Sequence, residues 1–100
     1  MTLNAFKPAD SLTFATVEEE RKRFISHCEA KKRAQEDSLL IEIALQQVTQ
    51  CDSAGLAFLI ETKKIAQQHG IALMMHQMPE TACALAEFYG LRTFLEHKEL

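Results

Sequence analysis

One hundred residues, 47% apolar and 25% charged, suit a single globular domain built on one core. A net charge of -3 and an isoelectric point near 5.8 speak against a nucleic-acid binder, which needs a surplus of Lys and Arg on one surface. No run approaches the ~20 apolar residues of a membrane span, and Met1 to Asp10 lacks the basic start and apolar stretch of a signal peptide, so a cytoplasmic location is expected.

Leu12 to Ala15 reads as a short strand with Leu12 and Phe14 on one side, and Ala5 to Lys7 is compatible with a further strand before it. Thr16 and Glu19 have the spacing of a capping box, which opens a helix over about 17–34. Glu18–Lys22, Glu19–Arg23 and Glu29–Arg33 then fall at i,i+4 in the favourable order. Val17, Phe24, Ile25 and Cys28 supply a narrow buried stripe. Leu39 to Leu45 alternates as a strand covered on both faces. A second helix starts just after Asp52 and stops at Gly70, where glycine suits a left-handed cap. Ile71 to Met75 is a buried strand. Met78-Pro79-Glu80 opens a third helix, with Pro at its first position; Gly90 closes it and Leu91 packs back on the last turn. Arg92 to Leu100 fits a terminal strand or helix equally. This alternation predicts an α/β fold, a mixed and mainly parallel sheet with helices packed on it.

Four histidines and three cysteines show none of the spacings from which a zinc site starts, so no metal is expected. His27 and Cys28 are neighbours on a helix and point about 100° apart, as a surface histidine beside a core cysteine. Cys28, Cys51 and Cys83 are odd in number and scattered, which suits reduced thiols rather than a disulfide framework. The three glycines, Gly55, Gly70 and Gly90, form no phosphate loop, and Ser53 lacks the flanking glycines of a nucleophile elbow. The expectation is a protein without cofactor and without enzymatic activity.

One local feature carries content. In Cys51-Asp52-Ser53-Ala54-Gly55-Leu56, Asp52 and Ser53 are both strong helix N-cap residues. Gly55 in the first turn costs about 1 kcal/mol relative to alanine, so a close approach of helix to sheet is expected there. Two readings stand side by side: a capped helix with a packing glycine, or an exposed Ser53 hydroxyl at a positive helix end that receives a phosphate or an acidic partner group. At 100° per residue, Phe58, Leu59, Thr62, Ile65 and Ala66 gather into the core arc, while Leu56, Ile60 and Lys63 lie off it. Leu56 and Ile60 then form either a docking spot or a surface that a neighbouring helix or the curved sheet covers.

Asp52-Ser53-Ala54-Gly55-Leu56-Ala57, following a strand that ends in Leu45 and Val48, resembles the D-S-[SA]-G-L signature of STAS domains. Leu12-Thr13-Phe14-Ala15-Thr16 and Ile71 to Leu91 continue the resemblance in order, over nearly the whole chain. It implies one STAS domain spanning 1–100 with its core at about 10–96, a non-catalytic module whose partner surface includes Ser53, Ala54, Leu56, Ile60 and Lys63, with Asp52 and Gly55 as structural motif residues. The Leu-Thr-Phe-Ala-Thr segment and Ala54 look most like the branch that binds the (MlaF-like) ATPase subunit of an Mla-type phospholipid ABC transporter. Such a subunit lies at the inner membrane through its complex, without inserting into the membrane itself. The alternative that the resemblance implies is an anti-sigma factor antagonist, phosphorylated at Ser53 by an anti-sigma kinase. Ala44 departs from the acidic residue that many members carry in the central strand, and Asp10 from a glycine.

Overall fold

A computed structural model describes residues 4–34 and 39–90, which form in chain order β1 (Ala5–Phe6), β2 (Ser11–Leu12), α1 (Val17–Ala34), β3 (Leu40–Ala44), β4 (Gln50–Cys51), α2 (Ser53–Gln68), β5 (Ala72–His76) and α3 (Glu80–Phe88). The alternating residues of β3 and β5 set the layering. Ile41, Ile43, Leu73 and Met75 point inward and are buried, while Glu42, Ala44, Met74 and His76 line the other, half-buried face. Among the described residues the main sheet has the order β1-β3-β5, and a smaller ladder joins β2 to β4. Both are parallel, in registers that run from Ala5↔Glu42 on one side of β3 to Leu40↔Ala72 on the other. Parallel neighbours cannot be joined by a tight hairpin, so α1 and α2 serve as the crossovers that bring the chain back. The fold is α/β, as the element order predicts.

α2 is the most enclosed helix. Its Phe58, Leu59, Thr62, Ile65 and Ala66 are buried, the arc expected from the sequence. Gly70 ends it with φ +70°, in the left-handed region. Phe24 and Cys28 of α1 join the same core, with Val17 and Ile25 packed against it. Two charged residues of α1 are buried as well. Lys31 donates from Nζ to Asn4 Oδ1 at 2.6 Å, and Glu20 accepts the Ala9 N–H at 2.9 Å.

Several local expectations change. The strand at Leu12 is two residues long and does not reach Phe14, because Thr16 folds the chain into a turn. Its hydroxyl accepts the Thr13 N–H at 3.0 Å and donates to the Ser11 carbonyl at 2.8 Å. The hydroxyl is thereby committed to the turn that precedes α1 rather than to a capping box with Glu19. Arg23 pairs with the buried Glu20 at 2.6 Å instead of with Glu19, which lies 3.9 Å from Lys22. Pro79 stands just before α3 with ψ 152°, one position earlier than expected. The expected contact of Leu91 and the segment from Arg92 to Leu100 lie outside the described residues.

Glu20 thus holds the link between β1 and β2 onto α1. Glu20→Ala leaves the Ala9 N–H without its acceptor and Arg23 without its carboxylate. It is expected to lower unfolding stability in urea by about 1–3 kcal/mol. A loss within experimental error of zero would show that this tether contributes nothing.

The loop and groove at the start of the second helix

Asp52 organises the start of α2 with both carboxylate oxygens. Oδ1 accepts the Gly55 N–H at 2.9 Å, an N-cap bond, and Oδ2 accepts the Phe14 N–H at 3.2 Å. One side chain therefore ties the turn after β2 to the first turn of α2. Its own N–H donates to the Leu12 carbonyl at 3.2 Å, and its carbonyl accepts the Leu56 N–H at 3.0 Å. The bond from Gly55 is the main cause that holds the Asp52 carboxyl below its ordinary range, and the Phe14 N–H adds to it; desolvation works the other way. A depressed carboxyl pKa favours the native state above the unfolded value of about 3.9, and that contribution disappears as pH falls through the folded value. Thermal midpoints followed through the acid range should therefore fall less steeply for Asp52→Asn than for the parent. Parallel acid limbs would disprove the assignment.

Gly55 shows why no other residue fits. A Cβ placed on it would overlap the Leu12 carbonyl oxygen and would stand 2.9 Å from Cys51 Sγ. The close approach expected from the sequence is thus between the first turn of α2 and the end of β2. Ser53 is exposed at the first position of α2, and Ala54 beside it is half-buried.

The remaining partner-surface residues divide. Leu56 is 2% exposed and belongs to the core. Lys63, also 2% exposed, lies inside as well. Both are corrections to a surface drawn from a helical wheel. α2 is packed by the sheet, by α1 and by α3, so its buried arc is wider than one apolar stripe. Ile60 remains half-buried and accessible, and Lys64 rather than Lys63 carries its charge to solvent.

Ala54 and Ile60 open into a groove of about 830 Å³ between α1, α2 and the preceding turn. Phe14, Val17, Ala57 and Phe58 complete its apolar lining, and Glu18 and Lys64 stand on its charged rim. Arg21 and Glu61 bridge α1 to α2 along the same rim, with Nε to Oε2 at 2.8 Å. Phe14 is 81% exposed at its mouth, on a backbone that Asp52 fixes. Sequence reasoning missed Phe14, Val17 and Ala57 as members of this site. The threonines on both sides of Phe14-Ala15 were the available sign, since Thr hydroxyls support turns.

Elsewhere, His76 Nε2 lies 2.6 Å from Glu42 Oε1 across the outer face of β3 and β5. Glu42 is two residues before Ala44, so that face of the central strand carries a carboxylate one step from the position where Ala44 stands. Burial pushes the Cys28 and Cys51 thiols up to about 11, which leaves both as poor nucleophiles. Among the described residues no three His, Cys, Asp or Glu side chains gather in a way that could hold a metal ion, and no helix is long and apolar enough to cross a membrane.

A protein-family model described as Mlab, STAS domain, matches residues 27–96, more than half of the chain. The match takes in β3, β4, α2, β5 and α3, including the Asp52-Ser53-Ala54-Gly55-Leu56 segment, and begins after the Phe14 turn. No curated protein matches the chain.

Proposed function

The chain belongs to the Mlab STAS domain family, and we propose that it is a non-catalytic subunit that docks on the ATPase of an Mla-type phospholipid ABC transporter and supports it. One observation carries the reading. An exposed aromatic, Phe14, stands on a fixed backbone beside an apolar groove next to the Asp52-Ser53-Ala54-Gly55-Leu56 segment. Aromatic side chains in such settings are the usual anchors of protein interfaces, because they bury much area at low entropic cost. The charged rim of Glu18, Arg21, Glu61 and Lys64 carries both signs, which suits register and partner choice more than raw affinity. In this reading the docking residues are Phe14, Ser53, Ala54 and Ile60. The subunit reaches the inner membrane through its partner and works with Ser53 unmodified.

A second reading, the anti-sigma factor antagonist, draws on the exposure of Ser53 at the positive end of α2. A phosphate added there would bring about two negative charges beside Asp52. Co-expression with the transporter ATPase separates the two. Equimolar co-purification with unmodified Ser53 supports the docking subunit. Stoichiometric phosphoserine at position 53 that releases a kinase partner, with no retention of the ATPase, would sink it.

A further inference from the structure

We propose that the recess between β1 and α1 binds a phosphate group. The recess is shallow and open to solvent, about 550 Å³ in volume. Its walls carry Lys7, just after β1, and Lys22, Arg23, Ser26 and His27 from α1, and among the described residues no carboxylate lines it. The floor is the Phe6 ring, held edge-on by Phe24 at 5.1 Å and by His27 at 5.4 Å, with the Arg23 guanidinium 5.2 Å above its centroid.

The cations differ in what they are committed to. Arg23 is spent on structure: it bonds to Glu20 at 2.6 Å and donates to the Lys7 carbonyl at 3.3 Å, which fixes the wall that Lys7 stands on. Lys22 reaches Glu19 only at 3.9 Å, with both side chains largely exposed, a pairing that contributes little. Lys7 forms no ion pair among the described residues. Two exposed lysines from different parts of the chain therefore line one recess together with a serine and a histidine, in a chain whose net charge is -3. A compact polyanion with several acceptor oxygens matches that donor set. A cation would be repelled, and a nucleic acid would need a longer run of basic groups.

The phosphate could be free or could belong to a phospholipid headgroup. The site shares no lining residue with the α1–α2 groove, so it stands or falls separately from the docking function.

Titrating isotope-labelled protein with inorganic phosphate should move the amide signals of Lys7, Lys22, Ser26 and His27 saturably. Lys7→Gln with Lys22→Gln should weaken that binding about tenfold without changing the melting temperature, because both side chains are exposed. The same protein is then added to phosphatidylcholine vesicles with and without phosphatidylglycerol. Binding only to the anionic vesicles, lost in the double variant, identifies a lipid headgroup. Saturable phosphate shifts without vesicle binding identify a soluble phosphate. The proposal is overturned if neither probe acts at these residues, if Lys32 and Lys64 respond equally, or if the double variant binds as the parent does.

Discussion

Replacing Gly55 by alanine is expected to lower the melting temperature by roughly 10 °C, although in an open helix the same change would stabilise by about 1 kcal/mol. The sign reverses because the added methyl meets the Leu12 carbonyl oxygen, a backbone atom that cannot turn aside as a flexible side chain can. Overpacking of this kind costs about 1–3 kcal/mol even where side chains yield, and here Leu12 is held by the bond from the Asp52 N–H. The valine variant, with two further carbons, is expected not to fold. Gly70→Ala is the informative contrast. Nothing lies within 4 Å of a Cβ there, so only the left-handed backbone at φ +70° is strained, a cost of about 1 kcal/mol. Thermal melts of the three variants decide the matter. A Gly55→Ala protein that melts at or above the parent would remove the close approach from the account.

Phe14→Asp should weaken docking strongly and leave the fold intact. The side chain is 81% exposed, so stability should change by no more than about 0.5 kcal/mol. If Phe14 is an anchor of the interface, its removal should weaken ATPase binding about 30-fold or more, the effect of a 2 kcal/mol hot spot. Ile60→Asp should act in the same direction from the opposite wall of the groove. Leu56→Asp is expected to behave differently, even though it lies one turn from Ile60. It would place an uncompensated charge in the core at a cost of several kcal/mol, comparable with the whole stability of a small domain. Binding isotherms paired with melts distinguish these outcomes. A folded Phe14→Asp protein that binds the ATPase as tightly as the parent would rule out the groove as the docking surface.

The contrast between Leu56 and Phe14 also shows which parts of the molecule were legible in the sequence. Hydrophobic alternation located β3, a short continuous apolar run located β5, and the glycine stops located the ends of α2 and α3, because those features depend on residues close in the chain. The demand for glycine at position 55 was also legible as a helix glycine that needed compensation. Its partner, the Leu12 carbonyl, was not, since the crossing of β2 over α2 joins residues far apart in sequence. A helical wheel assumes one covered side, and α2 is covered on several, which moved Leu56 and Lys63 inward. Phe14 went the other way. Alternation over four residues favoured a strand, but the Thr16 hydroxyl bonds made a turn. The buried Glu20 was hidden in the run Glu18 to Glu20 because only the fold shows which of three successive carboxylates meets the Ala9 N–H.

The register of the main sheet has a consequence for how the chain acquires its structure. Ala5 pairs with Glu42 and Leu40 with Ala72, so every ladder bond of this sheet joins segments separated by an entire crossover. No hairpin among the described residues offers a local start. Each strand must wait for a helix to form, fold back and close a long loop before any inter-strand bond rewards the lost chain entropy. During synthesis β3 therefore has no later partner until the whole of α2 and β5 has been made. Its Ile41 and Ile43 stay uncovered through that interval, which makes the half-built chain more vulnerable to aggregation than the finished one.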